Sequence, residues 1–230
     1  MTVLLEGGCR VSTLNDGLSE NHGSLTVWDK FGPATGTKAI SLRILEFGPT
    51  AAPPLRNEVR DELLFALGDC RIEIDETAHE VESQSGVFIR AGQTFQAASA
   101  GTFVSVQCPA TASSPLQIVK LSDQRALPTG DRWYRVLIDS EVTQFVGSIP
   151  PGRAPDHFHE YEEVLFILRG EGRMWAGESS TPIGYGSCIY LPRKQVHCVE
   201  NTGAGELRLL GVFYPAGSPA VRYETATQNP

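Results

Sequence analysis

The chain has 230 residues and a net charge of −8 at pH 7. That length allows one large domain or two of about 100 residues, and either can bury a core. The acidic balance, with no run or stripe of lysine and arginine, argues against a nucleic-acid partner. No apolar stretch approaches the roughly 20 residues that cross a bilayer.

The opening residues 1–14 carry no basic region and only a short apolar run, so they do not read as a signal peptide. Five cysteines (Cys9, Cys70, Cys108, Cys188 and Cys198) are an odd number without C-x-x-C spacing. They read as free thiols of a cytoplasmic protein, most of them small buried hydrophobes. From residue 24 onward, short runs rich in Val, Ile, Leu, Phe and Tyr follow one another, bounded by Gly and Pro. They span 24–29, 39–47, 62–67, 70–75, 86–91 and 102–108, then 134–138, 141–149, 163–168, 172–177, 187–191, 195–199 and 206–214. This is the pattern of an all-β sandwich or barrel. No long stretch has a 3.6-residue period; a short helix is admissible only near Asp16 or after Tyr223.

The runs repeat. A shift of 101 residues lays Pro49 on Pro150, Pro54 on Pro155, Glu62 on Glu163, Phe65 on Phe166 and Leu67 on Leu168. Two copies of one β unit therefore account for the length, with a connector near Pro109–Pro115. The expected domains are 1–112 and 113–230. Residues 169–173 read as a hairpin turn. His22 and His79 sit in polar surroundings and read as surface residues. Trp28, Trp133 and Trp175 read as core or interface residues, Trp175 also as a pocket wall.

The chemistry concentrates in residues 150–170. His157 and His159 stand at i and i+2, one face of a strand, and Glu163 follows with the same parity. His197 lies 34 residues further on. Three imidazoles and a carboxylate could close on one divalent ion, and this mixed set suits Fe(II), Mn(II), Ni(II), Cu(II) or Zn(II). Four protein ligands around an octahedral ion would leave two positions open, as a reacting substrate requires and a closed structural site does not.

With Gly152, His157, His159, Glu163 and Gly170, then Gly186, Pro192, His197 and Asn201, the second half resembles a cupin. Lys194 stands where that family usually has glycine. The first half aligns along its length but carries Arg56, Glu58 and Glu62, with Phe95 or Gln96 at the position of His197. The chain therefore resembles a bicupin whose first barrel has lost its ligands, with Arg56 expected to pair with Glu58 or Glu62 in place of an ion.

The resemblance implies two tandem jelly-roll β-barrels and one divalent metal per chain, Fe(II) or Mn(II) favoured, in the second. The expected ligands are His157, His159, Glu163 and His197, in a dry pocket lined by Leu165, Ile167, Leu209, Trp175 and Lys194. Glu163 would also tune the ion by its charge. The activity expected first is that of a dioxygenase acting on a small-molecule substrate. A redox-neutral isomerase, decarboxylase or hydrolase, with Glu160, Glu162 or Tyr161 moving a proton, is the second, and a non-enzymatic binding or sensor protein the third. A monomer or homodimer without nucleic-acid or membrane partners completes the expectation.

Overall fold

The computed structural model describes residues 1–221 except 15, 51 and 112–114, together with the backbone of 223–224. Among these residues the regular structure is almost wholly strand, with one-turn 3-10 segments at Glu6–Gly8, Pro33–Thr35 and Leu121–Asp123. Asp16 lies in a loop. The segment after 224, and the expected boundary between 112 and 113, lie outside the described residues.

The strands form two jelly rolls, each a large sheet facing a small one. In the first half the large sheet runs Ser85–Ile89, Arg60–Ala66, Gly101–Pro109, Ser41–Phe47, Leu25–Phe31 and Ser19–His22. Its small sheet runs Leu55–Arg56, Thr94–Ala97, Cys70–Ile74 and Thr77–Val81. The second half repeats this order with Cys188–Leu191, Glu162–Arg169, Leu207–Tyr214, Thr143–Ile149, Arg132–Asp139 and Leu127–Thr129. Opposite lie Ser179–Gly184, Glu171–Ala176, His197–Asn201, His157–Phe158 and Tyr223–Glu224.

The halves exchange strands at the open edge of each large sheet. Arg10–Ser12, from the start of the chain, pairs with Cys188–Leu191 of the second half. Gln117–Lys120, which leads into the second half, pairs with Ser85–Ile89 of the first. Each exchange covers backbone N–H and C=O groups that an edge strand would leave unpaired.

Alternation along the large-sheet strands sends one set of side chains into each barrel and the other set between the barrels. Leu165, Ile167, Ile189 and Leu209 fill the second barrel, and Leu64, Ala66, Val87 and Phe103 the first. Leu63, Phe65, Phe88 and Val104 meet Val164, Phe166, Tyr190 and Leu210 in a shared core. Each such side chain contributes about 1.5–3 kcal/mol on burial, so the two sheets hold together back to back.

Residues 169–173 make a corner and not a hairpin, because Glu162–Arg169 and Glu171–Ala176 belong to different sheets. Gly170 turns it at φ 87°, where a Cβ would stand 2.9 Å from the Glu206 carbonyl oxygen. Only glycine combines that backbone region with that clearance. All five cysteines are buried free thiols. His22 is exposed and His79 half-buried.

Candidate metal centre

The small sheet of the second barrel aligns two of the histidines directly, since His157 is the register partner of His197. His159 follows as the chain leaves Phe158, and the Pro192–Gln195 turn returns to it: the Lys194 N–H donates to the His159 carbonyl at 2.7 Å. Lys194 holds φ at 63°, the left-handed conformation that glycine adopts readily. The turn is therefore kept despite the lysine, and it ties the His159 segment to the strand that carries His197.

The donor nitrogens of His157, His159 and His197 lie within 4.8 Å of one another. Glu163 enters from the facing large sheet. Its Oε2 is 3.7 Å from the Nε2 atoms of both His159 and His197. Two of the imidazoles have their tautomers set by the backbone. The Nδ1 of His157 is 3.0 Å from the Pro155 carbonyl oxygen, and that of His197 is 2.8 Å from the Gln195 carbonyl oxygen. A carbonyl oxygen only accepts, so each Nδ1 carries the proton and each Nε2 presents a lone pair, the arrangement that metal-ligating histidines adopt.

Burial is deep: Glu163 and His197 are each 4% exposed. Desolvation, then the neighbouring His157, holds the His197 pKa well below the usual histidine value, which keeps the ring neutral. Desolvation pushes the Glu163 carboxyl up to about 8. Glu163 Oε2 is buried without a hydrogen-bond partner. A buried carboxylate oxygen without a donor, against neutral imidazole lone pairs, is costly by itself. A divalent cation satisfies all of them, so the residues present fit the metal expected from sequence. Beside Glu163, in the segment just before the exchanged strand, lies Cys9; burial, then the Glu163 charge, pushes its thiol up to about 12.

The four side chains help to line a cavity of about 90 Å³ that opens to solvent. Leu165, Leu209, Phe145, Phe213, Ile149 and Val199 make its apolar wall. Thr129, Arg132, Trp133, Tyr134 and Ser148 bring polar groups from the outer strands of the large sheet. The Arg132 side chain is 11% exposed and pairs with Asp131, itself 72% exposed, at 3.5 Å.

Several side chains expected at the pocket lie elsewhere. Trp175 points outward, because Met174 and Ala176 take the inward positions of its strand. Its indole donates to Glu200 at 2.8 Å and Arg153 stacks on it at 4.2 Å. Lys194 and Glu160 pair with each other at 3.5 Å near the surface. Ile167 lies deeper in the barrel core, two residues beyond the pocket wall. Tyr161 stacks on His159 with ring centroids 4.8 Å apart and donates to the Ser218 carbonyl at 3.2 Å, so it backs a histidine and does not line the cavity. Glu162 faces the shared core, accepting from the Tyr190 hydroxyl and the amides of Lys38, Ala39 and Ile40. Sequence reading missed Arg132, Thr129, Tyr134 and Ser148 and assigned Trp133 to core or interface. The strands of Thr129, Arg132, Trp133 and Tyr134 stand well before the histidines in sequence, that of Ser148 nearer, and all reach the pocket only when the sheet folds over.

In the first barrel, Asp75 N–H donates to the Thr94 carbonyl as Gly177 N–H does to that of Val196, which places Phe95 on His197. Phe95 is buried and packs into the barrel core. Arg56 pairs with Glu58 in solvent, both 50% exposed or more. Glu62 is held by Arg43, Ser105 and Gln107, and not by Arg56. A phenyl ring and a neutralised carboxylate thus replace the donor set there, and the expected substitution of Arg56 for an ion does not occur.

Residues 145–213 match the family model described as Cupin domain. Auxin-binding protein 1 of Arabidopsis thaliana is 31% identical over 83 residues, 32% of this chain and 42% of that protein. The oxalate-binding protein of Thermotoga maritima is 36% identical over 67 residues, 28% of this chain and 55% of that protein. The chain thus spans about half the length of the curated relatives it matches. A solved putative glyoxylate induced protein of Pseudomonas aeruginosa superposes with a TM-score of 0.79 at 15% identity, over 100% of this chain and 95% of that one. A variant of Bacillus subtilis oxalate decarboxylase superposes at 0.73 and 13%, over 90% and 78%. Fold and site define a double-barrel protein with a metal-type centre in one barrel. The cupin match lies in the second half of the chain, over residues 145–213.

Proposed function

We propose that this protein is a metal-dependent enzyme that oxidises a small carboxylate-bearing molecule with O₂, using one ion held by His157, His159, His197 and Glu163. When bound, such an ion supplies Lewis acidity and, if iron or manganese, the electron transfer that an oxidation needs. The observation that carries the reading is the unpartnered Glu163 Oε2 against two imidazole nitrogens, at the end of an apolar cavity with one guanidinium in its wall. Arg132 can fix a substrate carboxylate by two parallel hydrogen bonds. The apolar wall lowers the local dielectric and so strengthens that attraction. Orientation of the substrate against the centre is then the work of Arg132 and the aromatic side chains.

The oxidative chemistry is favoured over proton transfer by what the cavity lacks. Among the described residues its lining has no carboxyl or imidazole beyond the four ligand candidates. Glu160, Tyr161 and Glu162, the bases sequence would offer, all face elsewhere. A second reading, decarboxylation of a small dicarboxylate, is favoured by the one pocket acid left, the phenol of Tyr134, and by the likeness to proteins named for oxalate. Iron- or manganese-loaded protein is incubated with a panel of small carboxylates while O₂ uptake and CO₂ release are followed together. Stoichiometric O₂ uptake, reduced at least about tenfold in kcat/KM by Arg132→Leu, is the expected result. CO₂ release without net O₂ uptake selects the second reading, and no turnover of any kind overturns both.

A further inference from the structure

We infer a second ligand site, for a small oxyanion of the phosphate or carboxylate type, on the opposite side of the strand Glu162–Arg169 from the metal centre. A separate cavity of about 240 Å³ lies there, lined by Gly7, Gly8, Arg10, Gly36, Lys38, Glu162, Tyr190, Pro192 and Arg193. It shares no residue with the metal pocket. Three cations face one carboxylate, and that carboxylate is already engaged by three amides and the Tyr190 hydroxyl. In a chain of net charge −8 this is a local excess of positive charge.

Arg10 is the centre of this site. It is half-buried, its Nε is shielded from solvent, and it has no hydrogen bond or ion pair among the described residues. Guanidinium groups in that position are ordinarily paired, and the fork of donors matches an oxyanion. The cradle is built around it. Gly36 sits at φ 89°, and a Cβ there would come within 3.1 Å of the Arg10 guanidinium. Gly7 and Gly8, also at positive φ, bring bare backbone to the cavity. Lys38 and Arg193 are exposed at the cavity and supply two more donors. An anion held there would join three segments: the exchanged N-terminal strand, the 36–38 loop of the first half, and the turn that carries Lys194.

Isothermal calorimetry at constant ionic strength tests the site, with inorganic phosphate and with succinate as probes and chloride as the control. Binding of either probe is expected, weakened at least about tenfold by Arg10→Gln and by Arg193→Ala, and unchanged in His157→Ala. Which probe binds tells a phosphate source from a carboxylate one. Arg193 is exposed, so Arg193→Ala gives a folded variant even if Arg10→Gln does not. Absence of heat from both probes at 10-millimolar order, or binding that survives both arginine variants, or binding lost only in His157→Ala, overturns the inference. The last outcome places the anion in the metal pocket and leaves the proposed function standing, so the two readings fail separately.

Discussion

Glu163 concentrates the electrostatics of the centre in one side chain. Its oxygen faces two Nε2 atoms at 3.7 Å, and burial alone raises its pKa to about 8. A bound cation reverses that burial effect, since an opposite charge within a few ångströms favours the ionised form. Glu163→Gln keeps the shape and removes the charge. Partial retention of metal and a loss of activity of at least about tenfold, or about 1.4 kcal/mol at the transition state, are expected. Metal content measured beside the rate checks this. Full occupancy with near-normal turnover would leave a three-histidine centre with Glu163 as its neighbour.

The strand Glu162–Arg169 shows why the element scale was only partly legible in sequence. Glu163 and Leu165 face the pocket, while Glu162, Val164 and Phe166 face the shared core. Both faces are buried, so the strand reads as a continuous apolar run from which parity assigns faces only once one residue is fixed. The H-x-H pair fixed it for Glu163, and the spacing led to the expectation that Glu163 and the three histidines lie together, as they do. Glu160 and Tyr161 precede the strand proper, where alternation does not hold, and Trp175 was assigned to the wrong face of its own strand. Arg132 carried no local signal at all. Glu162 serves the fold and not the centre, since it collects three amides of the 38–40 loop and one hydroxyl into the seam between the barrels. Glu162→Ala would leave those donors buried without an acceptor, at about 3 kcal/mol or more. A fall in Tm of roughly 10 °C is expected at 2–4 °C per kcal/mol for a chain of this size, measured by calorimetry at saturating metal. An unchanged Tm would show that the loop finds water instead.

At the scale of the molecule, the two-copy repeat was legible, but the exchange of edge strands was not. The exchanged segments are short and lie outside the repeated units, so nothing local marks which sheet they join. With a shared core and reciprocal strands, the fold rests on apolar burial and backbone pairing, not on the ion. Chelation is expected to abolish activity and leave the β-type circular dichroism largely intact, whereas a fragment of residues 113–230 should aggregate or stay unfolded, having lost the partner of Cys188–Leu191 and the facing side of the shared core. A soluble, metal-binding fragment would contradict this.

The proposed centre holds one ion in the second barrel, on the three imidazoles and Glu163, and none in the first, where Phe95 and Glu62, paired with Arg43, replace the donors. Elemental analysis of the whole chain, expressed without added metal and again after His157→Ala with His197→Ala, tests it most directly. One divalent transition metal per chain in the parent, and none in the double variant, is the result expected. Two ions per chain, or one that survives the double substitution, would contradict it.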